Sequence, residues 1–417
     1  MKTTGRKLAA TAAIGALVVG LTAGVATAAP TAPASLPTAA SPSAAAGPFT
    51  AATPPNAAAL KASIAGLPSD QLTSAVVLVG GEGGRWSGTS GVGDPATGRP
   101  VKADGEFRIG SITKVFTAAV VLQLAAEHRV DLDGPAVRYL PPNTLPEAYS
   151  AVTVRQLLNH TSGLPNGLGQ FPDDGTPEWF AAHASDSFTP QEVVRRIMLN
   201  PKAFDAGKAQ QYNGVNYYLA GLLIEQVTGH SYGHEVGARI LRPLGLHHTW
   251  APGVDDTALP NPTAHAVLTV TRPDGSTGLA DVTEQSPWPW AEGGMISTAP
   301  DLERFMSALL HGKLLPPAQQ AELFAVPDVP NNQNDHCDIG PTTGRACFST
   351  GLMRFSPAPG VEFWGKTGSR PGYTSAVFAT RDGSRDLVYS FTPTSRAGAS
   401  FAAQYQVAAA AFDLPTH

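Results

Sequence analysis

Apolar positions cluster at both ends of the chain in short runs with strand character. Residues 74–80 (SAVVLVG) and 85–92 (RWSGTSGV) read as two strands joined by the Gly-rich turn GGEGG. Residues 106–110 (EFRIG) lead into a helix-like run, SITKVFTAAVVLQLAAEHRV. From there to about residue 345 helical periodicity dominates, as in TVRQLLNHTSG, NYYLAGLLIEQVTG and APDLERFMSALLHG. These segments stop at glycine, a common helix terminator. Strand character returns in VEFWGKTG, TSAVFAT and DLVYSFT, the last two joined by the turn RDGSR, and SFAAQYQVAAAAF closes the chain as a helix. Strands from both ends around a helical block predict an α/β (α+β) fold: one mixed sheet of N- and C-terminal segments, flanked by helices, with a large helical insertion. A functional site is expected at the seam between sheet and helices.

The first residues break this pattern. Lys2, Arg6 and Lys7 precede residues 8–28, which carry no charge and end in Ala26-Thr27-Ala28, the small-x-small pattern of a secretory cleavage site. A retained membrane-spanning helix is the rival reading, but the run is Ala/Gly-rich and weakly apolar. Residues 1–28 are therefore expected to be a signal peptide, leaving a secreted, extracellular chain with no membrane span after cleavage. Residues 29–55, filled with Ala, Pro, Ser and Thr, read as a disordered linker, and residues 56–417 as the folded domain.

The composition is 42% apolar and 15% charged with net charge −5. That excludes a wholly disordered chain. It also excludes a nucleic-acid binder, because no Lys/Arg-rich run supplies a basic surface. The two cysteines, Cys337 and Cys347, enclose Gly340, Pro341 and Gly344. In an exported protein such a pair is expected to be bridged. The adjacent His336 lacks a fourth clear partner for a zinc site, so neither metal nor cofactor is expected.

Two motifs carry chemistry. Ser111-Ile112-Thr113-Lys114 is the one Ser-x-x-Lys in the chain, at a strand-to-helix junction. Three residues along a helix bring the lysine back onto the serine. A neighbouring base is what a serine hydroxyl needs to become a nucleophile. Near the other end, Lys366-Thr367-Gly368-Ser369 lies in the strand-like VEFWGKTGS. It offers a fixed cation, a hydroxyl and a glycine for close approach. Backbone N–H groups of Ser111 and Ser369 are the candidate oxyanion donors.

With these motifs in this order, the chain resembles the serine β-lactamase and penicillin-binding-protein superfamily. The likeness is greatest to the branch of class C β-lactamases, secreted D-alanyl-D-alanine carboxypeptidases of actinomycete type and related esterases. It covers roughly residues 57–415, supported by FRIGSITKVFTAAVVLQL, VRQLLNHTSGL, LRPLGL and EGGMISTAPDL. It implies an antiparallel sheet and catalysis through an acyl-enzyme. Tyr212 then matches the family's catalytic tyrosine, and Ser111, Lys114, Tyr212 and Lys366 form the catalytic set. Gly214 falls where the family carries a substrate-binding Asn, leaving Asn213 and Asn216 as possible substitutes. This departure argues against amide-containing substrates relative to esters. Thr367, Gly368 and Ser369 match substrate-contacting positions, Arg354 and Arg370 are candidates for a substrate carboxylate, and Trp290 is a candidate pocket wall. His160 lies in a turn that the family places near the site. Neither Ser-Asp-Asn nor a clear omega-loop Glu is present, which argues against class A chemistry. The leading expectation is a monomeric D-Ala-D-Ala carboxypeptidase acting on peptidoglycan-type peptides. A β-lactamase or an esterase of the same fold, or a penicillin-binding sensor without turnover, are the alternatives.

Three patterns are decoys. Gly229-His230-Ser231-Tyr232-Gly233 matches a nucleophile elbow, but a helical run, not a strand, precedes it. His230 and His234 have zinc-ligand spacing without a third partner, and His247-His248 follow a turn; surface histidines are expected at all four.

Overall fold

The computed structural model describes residues 53–167, 171–332, 337 and 340–415. The expected signal peptide and His336 lie outside the described residues. The strands in chain order are β1 (Leu72–Gly81), β2 (Trp86–Asp94), β3 (Arg99–Pro100), β4 (Phe107–Arg108), β5 (Val267–Thr271), β6 (Thr277–Asp281), β7 (Ile296–Ser297), β8 (Met353–Ala358), β9 (Val361–Arg370), β10 (Tyr373–Ala379) and β11 (Arg385–Pro393). Seven of them form one sheet in the order β3-β2-β1-β11-β10-β9-β8.

Every pairing in that sheet is antiparallel. The mixed sheet expected from the hydrophobic pattern thus resolves into the antiparallel one implied by the family likeness. The reason is connectivity: β8 to β11 follow one another through short turns, and tight turns join antiparallel neighbours. The long connection is used only once, where β1 meets β11 in the register Val77↔Tyr389.

Both faces of the central strands are covered, so β1 is buried over residues 73–80 and β10 and β11 throughout. Alternation sorts their side chains between two cores. Val76, Leu78, Val377 and Val388 face the larger one, formed with helices Thr113–Ala126, Val215–Thr228 and Ala299–Leu310. Val77, Val79, Phe378, Leu387 and Tyr389 face a smaller core closed by helices Ala57–Ser63 and Phe401–Phe412. Helix Thr113–Ala126 buries all but Gln123 and Ala126, because it passes through the larger core rather than over its surface.

The middle of the chain is less purely helical than its periodicity predicts. A hairpin, β5–β6, interrupts it, and β7 pairs with the short β4 as Phe107↔Ser297. The strand expected at residues 106–110 is thereby reduced to two paired residues. Among the described residues no helix is long and apolar enough to cross a membrane.

Candidate active site

Ser111 sits on a single 3-10 turn, Gly110–Ile112, that runs without a break into helix Thr113–Ala126. Two glycines let this turn press against β9. Gly110 has φ +51, and a Cβ there would crowd the Ser369 backbone nitrogen. A Cβ on Gly368 would overlap the Ile109 carbonyl oxygen. The turn is also pinned from the far side: Ile109 N–H donates to Met295 O at 3.1 Å, and Met295 N–H donates to Thr113 Oγ1 at 3.2 Å. The sequence segments EFRIG-SITK, KTGS and EGGMIST thus meet at one point.

Lys114 is buried and reaches back along the helix, its Nζ donating to Ser111 Oγ at 3.1 Å. The same ammonium donates to Glu292 O at 2.7 Å and forms an ion pair with the Glu292 carboxylate. Tyr212 lies between two cations: Lys114 Nζ is 5.0 Å and Lys366 Nζ 4.7 Å from its ring centre. Burial disfavours charge on all three side chains. For Lys114 the Glu292 carboxylate and Tyr212 outweigh burial and hold the ammonium above its ordinary range. For Tyr212 burial is likewise outweighed, by Lys114 and Lys366, and the phenol is drawn below its usual value. Burial pulls Lys366 down; Tyr212 partly supports its charge and Lys114 opposes it.

His160 backs Tyr212 with ring centres 4.6 Å apart and a backbone φ of +61. Its Nδ1 accepts the Asn213 backbone N–H at 3.1 Å, so this ring fixes the segment that carries Tyr212. The HTSG stretch is therefore more than a connecting turn.

The residues flanking Tyr212 divide sharply. Asn213 donates its amide to Leu164 O and Pro165 O, both at 3.0 Å, and accepts from Val215 N–H at 3.1 Å. Asn216 accepts from Ser162 Oγ at 2.7 Å and contacts His160 Nδ1 at 3.3 Å. Both amides are spent inside the fold, so neither takes the place of the Asn that Gly214 lacks. The side chain facing Gly214 is Glu292: a Cβ at 214 would stand 3.5 Å from its carboxyl carbon. Glu292 is the residue that sequence reading missed. It opens the stretch EGGMISTAPDL, which carried the family likeness, while the pocket-wall candidate was Trp290, two residues earlier.

Three substrate-binding candidates lie elsewhere. Arg354 pairs with Glu362 at 3.5 Å. Arg370 is buried, donates to Ser286 O at 3.0 Å, and is depressed to about 10 by burial and by Arg108. Trp290 packs edge-on against Tyr232 at 5.3 Å. None of the three is among the residues that line the cavity at Ser111. That cavity, about 410 Å³, starts at Ser111, Tyr212, Lys366, Thr367, Gly368 and Ser369 and continues beneath the C-terminal helix.

The decoy serine is explained by its surroundings. Gly229 is the left-handed C-cap of helix Val215–Thr228, and Ser231 Oγ caps the next helix by accepting His234 N–H at 3.3 Å. No strand precedes it. His230 and His234 are exposed beside Glu235, whose carboxylate is already held by Arg239 at 2.6 Å. Cys337 and Cys347 stand with Cα atoms 5.4 Å apart as a disulfide pair.

A family model described as beta-lactamase matches residues 30–412. The chain belongs to the beta-lactamase family. Among solved structures, this family member is similar to a D-stereospecific amidohydrolase from Streptomyces sp., with 32% identity and TM-score 0.71 over 86% of this chain and 99% of that one. It is also similar to the D-amino acid amidase of Ochrobactrum anthropi SV3, with 27% identity and TM-score 0.65 over 77% of this chain and 86% of that one. Curated relatives include Esterase EstB of Burkholderia gladioli, 31% identical over 42% of this chain and 46% of that protein. Penicillin-binding protein 4* of Bacillus subtilis is 29% identical over 36% of this chain and 32% of that protein. The chain spans less than half the length of these two curated relatives. The fold and the serine-hydrolase class are those of the β-lactamase and penicillin-binding-protein superfamily.

Proposed function

We propose that this serine hydrolase cleaves small amides and esters of amino acids that carry a free α-ammonium group, through an acyl-enzyme on Ser111. The observation that carries this is the Glu292 carboxylate facing Gly214. A side-chain amide at 214 would donate to the carbonyl of an N-acylated substrate. A carboxylate is acceptor-only and suits an ammonium instead. N-acyl peptides and β-lactams with acylamido groups lose a partner here, whereas aminoacyl amides gain one. Two structural relatives, one named a D-stereospecific amidohydrolase and the other a D-amino acid amidase, support D-configured substrates. Terminal-carboxylate recognition, as a carboxypeptidase requires, has weaker support, because Arg354 and Arg370 are engaged elsewhere.

In this mechanism Lys114 stays an ammonium, tied to Glu292, and Tyr212 is the base. The Tyr212 phenolate takes the Ser111 proton as Oγ attacks the carbonyl carbon. Backbone N–H groups of Ser111 and Ser369 receive the oxyanion. On collapse Tyr212 returns the proton to the departing amine or alkoxide. Water then attacks the acyl-enzyme and gives a proton to Tyr212, which passes it to Ser111 Oγ as the Oγ–acyl bond breaks, restoring the serine hydroxyl and the phenolate. Lys366 keeps the phenolate charged.

The test compares D-phenylalanine amide, its L enantiomer, N-acetyl-D-phenylalanine amide, a D-Ala-D-Ala peptide and nitrocefin on the purified mature chain. Turnover of the free-amine D-amide above the N-acetyl one is expected. The reverse order overturns the substrate class. Ser111→Ala should abolish labelling by a fluorophosphonate probe; loss with Ser231→Ala instead overturns the site. Export is proposed from the charged start and Ala26-Thr27-Ala28, with a Cys337–Cys347 bridge in the exported protein. Intact mass before and after reduction and alkylation tests the bridge, and two thiols alkylated without reduction overturn it.

A further inference from the structure

We infer that the space beneath the C-terminal helix is a binding channel for an apolar group of the substrate, several methylenes or an aromatic ring long. This rests on the hydrolase reading of Ser111 and adds the chemistry of the rest of the substrate.

The channel leaves the polar mouth between Ser111 and Thr367 and passes to the opposite face of the sheet. There its floor is Phe355, Phe378 and Leu387 and its roof is Phe401, Tyr405 and Ala408 of helix Phe401–Phe412. Its volume of about 410 Å³ falls in the range of about 300–1,000 Å³ usual for small-molecule pockets.

The polar atoms along this wall are already consumed. Thr374 Oγ1 accepts the Ala399 N–H at 2.9 Å. Gln404 Nε2 donates to Ala399 O at 2.9 Å, and Gln404 Oε1 accepts the Tyr389 hydroxyl at 2.9 Å. These bonds strap the start of the C-terminal helix to β10 and β11 and leave a lining that is mostly carbon. Beyond the catalytic Tyr212 and Lys366 at the mouth, no charged residue lines the channel among the described residues. A charged or strongly hydrated substituent would be stripped of water there without a partner, whereas an apolar one gains from burial. Phe401 is 58% exposed at the outer end, a large apolar side chain left at the surface where the channel meets solvent.

The experiment uses the mature full-length chain and two series. One is p-nitrophenyl esters from acetate to decanoate; the other is acetyl esters of alcohols from methanol to octanol. In the series whose variable part enters the channel, kcat/KM should rise about two- to fourfold per methylene until the channel is full. The rising series identifies whether the acyl or the leaving group enters. Ala408→Trp, which fills the channel, should flatten that rise to under about twofold in total. Fluorophosphonate labelling reports whether the variant keeps an intact Ser111. Ala408→Leu, a smaller filling, replaces it if the Trp variant does not label. A rise in neither series, with acetate still hydrolysed, overturns the channel and leaves the hydrolase reading standing. A rise that persists in a labelled Ala408→Trp protein also overturns it. Failure of all esters together with absent labelling sinks the hydrolase reading itself.

Discussion

The two faces of β9 make opposite use of burial. On one, Lys366 joins Lys114, Tyr212 and Glu292 in a cluster whose charges are removed from water and kept by one another. On the other, Thr367 and Ser369 look into a space walled by carbon. Strand alternation points Lys366 away from Thr367 and Ser369, while a single cavity lined by all three joins the two settings. Charge desolvation tunes proton transfer on the first face, and apolar burial selects what is brought to it on the second.

The comparison is broken most completely at Tyr212. Tyr212→Phe keeps the ring packing against His160 and removes the proton carrier. We expect kcat/KM to fall about 10²–10⁴-fold, with acylation measured by stopped flow. An unchanged rate would return the base role to Lys114.

Glu292→Gln tests the charge cluster next. Glu292 holds the Lys114 ammonium up and pushes the Tyr212 phenol up. Neutralising it lowers both. The acid-side limb, where Tyr212 loses its proton, and the alkaline limb, where Lys114 loses its own, should then both move to lower pH. A kcat/KM profile that does not move shows that the pair is structural only. The rate for free-amine substrates should fall about tenfold relative to N-acyl ones, the worth of one hydrogen bond to a charged group.

Gly214→Asn sharpens the same contrast. The backbone there is ordinary right-handed helix, φ −65 and ψ −38, so a side chain adds no backbone strain, and its Cβ would meet the Glu292 carboxyl group in ordinary contact at 3.5 Å. A donor restored at this position should raise N-acyl relative to free-amine turnover about three- to tenfold. An unmoved ratio would show that Glu292 does not contact substrate.

A separate effect, on stability and not on rate, lies away from the site, where burial of an acid is not compensated. Asp386 is raised to about 7 by burial and by Glu303, against Arg85 and Arg385; His311 lines the same surface depression. The folded chain then holds a proton that the unfolded chain releases above about pH 4. Stability at this site is therefore lost as pH rises from about 4 to 7. Asp386→Asn should gain about 1–3 kcal/mol at pH 8 and little at pH 4, read by urea unfolding. Equal gains at both pH values would rule out the titration.

What could be read from residue order alone was whatever is local. Ser111 and Lys114 are three apart, and Lys366 to Ser369 are consecutive, so spacing exposed both motifs. Strands at the two ends and helices between were likewise visible as periodicity. Glu292 was hidden because its partner Lys114 is 178 residues away, and the stretch EGGMISTAPDL that it opens marks the family without assigning the carboxylate a role. Asn213 and Asn216 could not be ranked against Gly214 before their bonds to Leu164, Pro165 and Ser162 were seen. Arg354 and Arg370 looked free to bind a carboxylate because Glu362 and Ser286 O had not yet claimed them. The hairpin β5–β6 was passed over because it is short and half exposed. The channel has no motif at all; it is a distance between a sheet and a helix.

The seam between β1 and β11 has a consequence for how the enzyme comes into being. The first strand of the sheet has no neighbour on that side until the last strand has been made, and Ser111 meets Ser369 only when both ends have come together. Such distant pairing makes folding slow and leaves open strand edges exposed meanwhile. It also keeps the nascent chain harmless. A polypeptide still emerging carries its serine, lysine and tyrosine, yet has neither Lys366 nor an oxyanion site, so hydrolysis begins only once synthesis has passed the final strand.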